Sequence, residues 1–94
     1  MSSQLQGVDH KEVEERMWRW ANAHPFREGA LFFTLDGQGI SPLDLAAHVS
    51  HNSRIGIEHV AAMAQMAELQ KISLLDILDR MVRSVEEPHH LAMH

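Results

Sequence analysis

Three helix starts stand at matched positions along the chain, and they constrain its fold more than any other feature. Asp9, Ser41 and Ser73 are each followed three residues later by an acid (Glu12, Asp44, Asp76) and preceded by an aliphatic residue (Val8, Ile40, Ile72). A side-chain oxygen at the N-cap and an acid at the third helical position satisfy backbone N–H groups that a helix start leaves unpaired, and the aliphatic residue staples the entry of the chain. The starts are 32 residues apart both times. Helical repeats have periods in this range. The segments between the starts do not match one another, so the spacing is read as three strong helix starts in an all-α chain.

The first start predicts a helix from Asp9 to about His24, before Pro25, with Val13, Met17, Trp20, Ala21 and His24 on the buried stripe. Glu12 with Arg16, and Glu15 with Arg19, pair at i,i+4 on the opposite, solvated face. Residues 26–35 are ambiguous between a helix from Phe26 to Phe33 and a strand from Ala30 to Leu35 closed by the Asp36-Gly37-Gln38-Gly39 turn. The helix is favoured, because a lone strand needs a partner and no second strand is evident. Pro42 at a first helical position opens a short helix from Leu43 to Asn52. A longer one from Arg54 to Gln70 places Arg54, Glu58, Ala61, Gln65 and Glu68 on one narrow polar stripe and apolar residues around most of the rest, the pattern of a central helix packed on at least two sides. The last helix, to about Glu87, carries Leu74, Ile77, Leu78, Met81, Val82 and Val85 on one face, with Asp76–Arg80 and Asp79–Arg83 pairs facing solvent. The expected architecture is an all-α compact bundle of four to five short helices over residues 9–87, with room for one short strand near residues 30–35, a disordered N-terminus (1–8) and a flexible His-containing tail (88–94).

A chain of 94 residues, 45% hydrophobic, has room for one domain and one core. It has no cysteine, which removes disulfides, thiolate zinc sites and cysteine nucleophiles and fits a reducing compartment. Lys and Arg total 8 against 13 acids, a net charge of −5, which argues against direct binding of duplex nucleic acid, an affinity that rests on neutralising phosphates. No apolar run approaches the roughly 18 residues of a membrane span, and residues 1–8 lack the blocks of a signal peptide. The expectation is a soluble, cytoplasmic protein without membrane association. Histidine is the unusual count: protonating all 8 would carry the net charge from −5 to +3.

Residues Gly39-Ile40-Ser41-Pro42-Leu43-Asp44-Leu45-Ala46-Ala47 resemble the turn and first helix of an ankyrin repeat, and Glu58-His59-Val60 is similar to the start of its second helix. About five extra residues separate the two parts, and an isolated ankyrin repeat cannot bury its own face. Phe26 to Val49 also resembles an EF-hand, with Gly39, Ile40 and Asp44 near the loop glycine, the hydrophobic position and the terminal acid. Its loop is one residue short, and Thr34 stands where the first carboxylate is required, so the resemblance implies a helix–loop–helix used for packing rather than calcium.

Asp44, His48 and His51 fall within about 60° of arc on one helix, at i, i+4 and i+7. A carboxylate and two imidazoles suit a divalent transition metal such as zinc, nickel or non-haem iron. Two helical turns span about 10 Å, so at most two of the three could share one ion. The alternative is a polar solvent face. His59 lies within the apolar arc of its helix: it reads as a neutral core residue, with a pH switch at a helix or dimer seam as the sharper alternative. His24 sits at a helix C-terminus, His10 in the first turn, and His89, His90 and His94 in a tail able to take up metal adventitiously. No Gly-x-Ser-x-Gly, phosphate-cradling loop or activated nucleophile is present, and a chain this short has little volume for a substrate pocket.

The five aromatic residues, Trp18, Trp20, Phe26, Phe32 and Phe33, lie between positions 18 and 33. Trp18 falls about 100° or more from the centre of its helix's buried stripe. Trp18, Phe26, Phe32 and Phe33 are candidate interaction residues, with a core nucleus as the alternative reading. The function these observations point to is a non-catalytic protein–protein interaction or regulatory adaptor module that is homodimeric and needs no cofactor. The rivals are a metal-binding module and a transcription-associated regulator acting through a protein partner.

Overall fold

In the computed structural model, which describes residues 9–86, four α-helices and a small β-hairpin follow one another along the chain. The expected disordered N-terminus and tail, with His89, His90 and His94, lie outside the described residues. Helix α1 covers His10–Ala23, α2 Pro42–Ser50, α3 Arg54–Gln70 and α4 Leu74–Glu86. Between α1 and α2, strands β1 (Phe32–Phe33) and β2 (Gly39–Ile40) pair antiparallel, Phe32 opposite Ile40 and Phe33 opposite Gly39.

Each helix begins where its cap chemistry requires. Ser41 Oγ accepts the Asp44 N–H at 3.0 Å while the Asp44 carboxylate accepts the Ser41 N–H at 3.2 Å, a complete capping box. Ser73 and Asp76 repeat it with the same two distances. At the first start the exchange is not reciprocal: Asp9 accepts from the Lys11 N–H, and Glu12 turns to Arg16 instead. The three starts head unlike units, since the first leads to a helix and a hairpin, the second to two helices and the third to one helix. Their regular spacing therefore marks no structural repeat.

Helix α1 packs on α2 and α4, and α3 packs on α2 and, more lightly, on α4. Met17 of α1 and Leu78 of α4 are fully buried where their helices meet; removing such a side chain from water contributes about 2 kcal/mol each. α3 thus packs on two sides, as its pattern implies, but α1 and α2 hold the more central places. The polar faces of α1 and α4 are also less solvated than their i,i+4 pattern implies. Arg16 reaches across to Asp79 at 2.8 Å and Arg19 to Glu86 at 2.9 Å, tying the two helices along their edge.

The helix expected over Phe26 to Phe33 does not form, and with it goes the entering helix of the EF-hand resemblance. The missing strand partner is Gly39–Ile40, whose Ile40 carbonyl accepts the Leu31 N–H at 3.1 Å. The tip is closed by Thr34, whose N–H donates to the Gln38 carbonyl at 3.0 Å and whose hydroxyl accepts the Gln38 N–H at 3.0 Å. Gly37 takes φ +90°, which a residue with a Cβ rarely adopts. Phe32 leans on Trp20 with ring centroids 6.2 Å apart, so α1 anchors the hairpin.

Candidate functional site

A groove of about 640 Å³ lies between the hairpin and the first half of α3. That exceeds the volume the chain length led us to expect. Phe33 and Leu35 form one wall, Ile55 and His59 the other, and Ile40 and Leu45 line it between them. Its charged lining residues are Asp36, Arg54 and Glu58. Arg54 and Glu58 pair within α3 at 3.2 Å, and the Asp36 carboxyl is held below the usual carboxylate range, first by the Thr34 hydroxyl and then by the Gln38 N–H.

His59 is half-buried on this wall, and its Nε2 is enclosed without a hydrogen-bond partner. The expected core histidine is therefore present without the hydrogen bond that usually satisfies one. Burial pushes its pKa below the ordinary histidine value, because a charged ring would lose hydration with nothing to replace it.

Beyond His59 the same face of α3 is uncovered. Met66 is 49% and Leu69 79% exposed, and across the groove Phe33 is 68% exposed. Together with the exposed Leu35 they make an apolar surface that runs from the hairpin tip to the end of α3. Exposed Met66 and Leu69 escape sequence reasoning because the period marks them as apolar without saying which apolar residues the neighbouring helices reach. Their spacing from Ile55 and His59 was the available signal.

The other anticipated residues are placed differently. Phe26 is exposed at the turn after α1, where its N–H donates to His24 Nδ1 at 3.0 Å. His24 stands edge-on to Trp20, with ring centroids 5.4 Å apart. Phe32 divides between Trp20 and the groove. Trp18 is half-buried against the core, on α1, whose main packing partners are α2 and α4. It lies outside the apolar surface described above.

Asp44, His48 and His51 share α2 and its C-cap but are occupied separately. The Asp44 carboxylate completes its capping box, His48 Nδ1 lies 2.7 Å from the Ser53 hydroxyl, and His51 is the exposed C-cap residue. Among the described residues no three His, Cys, Asp or Glu side chains are close enough to hold one metal ion. Likewise, no described helix is long and apolar enough to cross a membrane. Comparison with known protein families, with curated proteins and with solved structures finds no match to this chain.

Proposed function

We propose that this chain is a protein-interaction module, regulatory or adaptor in role, which docks a partner protein on the apolar surface shared by the hairpin and α3. The observation that carries this reading is the exposure of Phe33, Leu35, Met66 and Leu69 on adjoining elements. Contiguous apolar surface of this kind is costly to leave hydrated and marks interaction sites when it is displayed on a folded scaffold. Aromatic and methionine side chains are suited to the role, since both give large, adaptable contact area.

Site-specific photo-crosslinking in the native cell tests the reading. A photoreactive residue replacing Met66 or Phe33 is expected to yield a discrete protein adduct, and one replacing Arg83, on the exposed side of α4, is expected to yield none. No adduct at either apolar position, or equal adducts at all three, would overturn it.

A further inference from the structure

The apolar surface is not uniform along α3, and its two halves are complementary. Ile55, His59, Ala62, Met66 and Leu69 follow one another at alternating intervals of four and three residues, the spacing with which one helix lies along another. They fall within about 80° of arc. In the first half of the stripe the hairpin rises beside the helix, so Ile55 and His59 form one wall of a groove. In the second half no described element covers it, and Met66 and Leu69 are exposed. One end is a receptor and the other end a knob.

We infer that the partner is a second copy of this chain, its α3 laid antiparallel to the first about a two-fold axis near Ala62. This rests on the docking reading above and names the occupant. An antiparallel arrangement seats Met66 and Leu69 of each copy in the hairpin groove of the other, filling both grooves at once, as an isologous interface requires. A parallel arrangement would set groove against groove and knob against knob. Charge selects the same orientation. Asp36 and Arg54 lie at the groove end and Glu68 and Lys71 at the knob end, with Arg54, Glu68 and Lys71 exposed on and after α3. With Glu58 the groove end carries two acids and one cation, so antiparallel pairing brings Lys71 of one copy toward Asp36 and Glu58 of the other and Arg54 toward Glu68, giving each cation an acid of the opposite copy. Ala62 at the centre has the small side chain that close helix approach needs. The Arg54–Glu58 pair within α3 is exposed, so exchanging it for a contact between copies changes little. Orientation thus comes from charge and shape, and association from the apolar stripe.

The absence of cysteine makes the geometry directly testable. Leu35→Cys and Leu69→Cys each alter an exposed side chain. Mixed in equal amounts and oxidised, they are expected to give the Leu35→Cys with Leu69→Cys disulfide in preference to either homodisulfide. In sedimentation at high micromolar concentration the unmodified chain is expected to dimerise, and Leu69→Asp to weaken the dimer on the order of a hundredfold or more, since two buried leucines are lost per dimer. A homodisulfide of Leu69→Cys as the main product would overturn the antiparallel arrangement. A strict monomer, or a dimer indifferent to Leu69→Asp, would overturn the second copy as occupant. If the monomer's position 66 still captures a different protein in the cell, the docking reading survives that failure; if it captures nothing, both fall.

Discussion

His59 stores an unsatisfied polar atom in the groove wall, and its protonation is coupled to folding. The charged groups lining the same groove are Asp36 from the hairpin and Arg54 and Glu58 from α3, while α2 contributes the neutral Leu45. No acceptor within the fold is bonded to Nε2, so neither acid compensates a protonated ring directly. With its folded pKa below the ordinary value, the folded chain binds fewer protons than the unfolded chain as pH falls past that value. Stability from this group is therefore complete above about pH 6.5 and declines as the pH drops below it. His59→Leu is expected to flatten the dependence of melting temperature on pH between 7.5 and 5, and to stabilise the fold by about 1 kcal/mol at neutral pH by removing the orphaned nitrogen. An unchanged pH profile would show that His59 titrates as freely in the folded chain as in the unfolded one. Among the described residues the histidines stand in unlike surroundings: His24 and His48 have polar partners, His51 is exposed, and His59 Nε2 is enclosed without one.

At the scale of elements, the joint between α2 and α3 is set by the room at Gly56. A Cβ there would stand 2.1 Å from the His48 carbonyl oxygen and 2.4 Å from its carbon, both backbone atoms that no rotamer change can move aside. Helix propensity alone favours alanine over glycine by about 1 kcal/mol. Gly56→Ala is nevertheless expected to destabilise the fold by about 2 kcal/mol, the cost of forcing two packed elements apart, and to lower the melting temperature by roughly 10 °C. A melting temperature that rises instead would mean that α2 and α3 do not approach this closely. The helices were legible in the sequence because their signals are local: Ser41 and Asp44, or Ser73 and Asp76, announce a start within four residues, and α4 repeats Leu74, Ile77, Leu78 and Val82 along a single face. The hairpin was legible only as the alternative strand over Ala30 to Leu35, because each strand has only two residues and neither Phe32-Phe33 nor Gly39-Ile40 has enough length to show alternation. Its signal was the turn, where Gly37 and the Thr34 hydroxyl close the tip, and the partner strand lay in residues that equally lead into a capping box. The candidate site was legible in part for a related reason. Met63 and Met66 are the same residue type on one helix, yet one is buried and the other half exposed, and only the placement of α2 and α4 separates them.

For the whole molecule, the consequence is that folding and association draw on different surfaces. The core that joins all four helices is built from Met17, Val49, Ala64 and Leu78 and their neighbours, while Met66, Leu69, Phe33 and Leu35 contribute little to it because they remain in water. Replacing the exposed set should leave the folded chain intact, and covering it should add stability through mass action, since a partner that binds only the folded state shifts the unfolding equilibrium. If the partner is a second copy, a tenfold rise in concentration stabilises each chain by about 0.7 kcal/mol, half of the 1.4 kcal/mol that a factor of ten represents per dimer. The melting temperature is then expected to climb by about 3 to 5 °C for each tenfold rise in concentration within the dimeric range. In the variant carrying both Met66→Asp and Leu69→Asp it is expected to be independent of concentration and to equal that of the dilute unmodified chain. Calorimetry over a concentration series checks both statements at once. A variant that melts well below the dilute chain would place Met66 and Leu69 in the folding core rather than on a surface held for a partner.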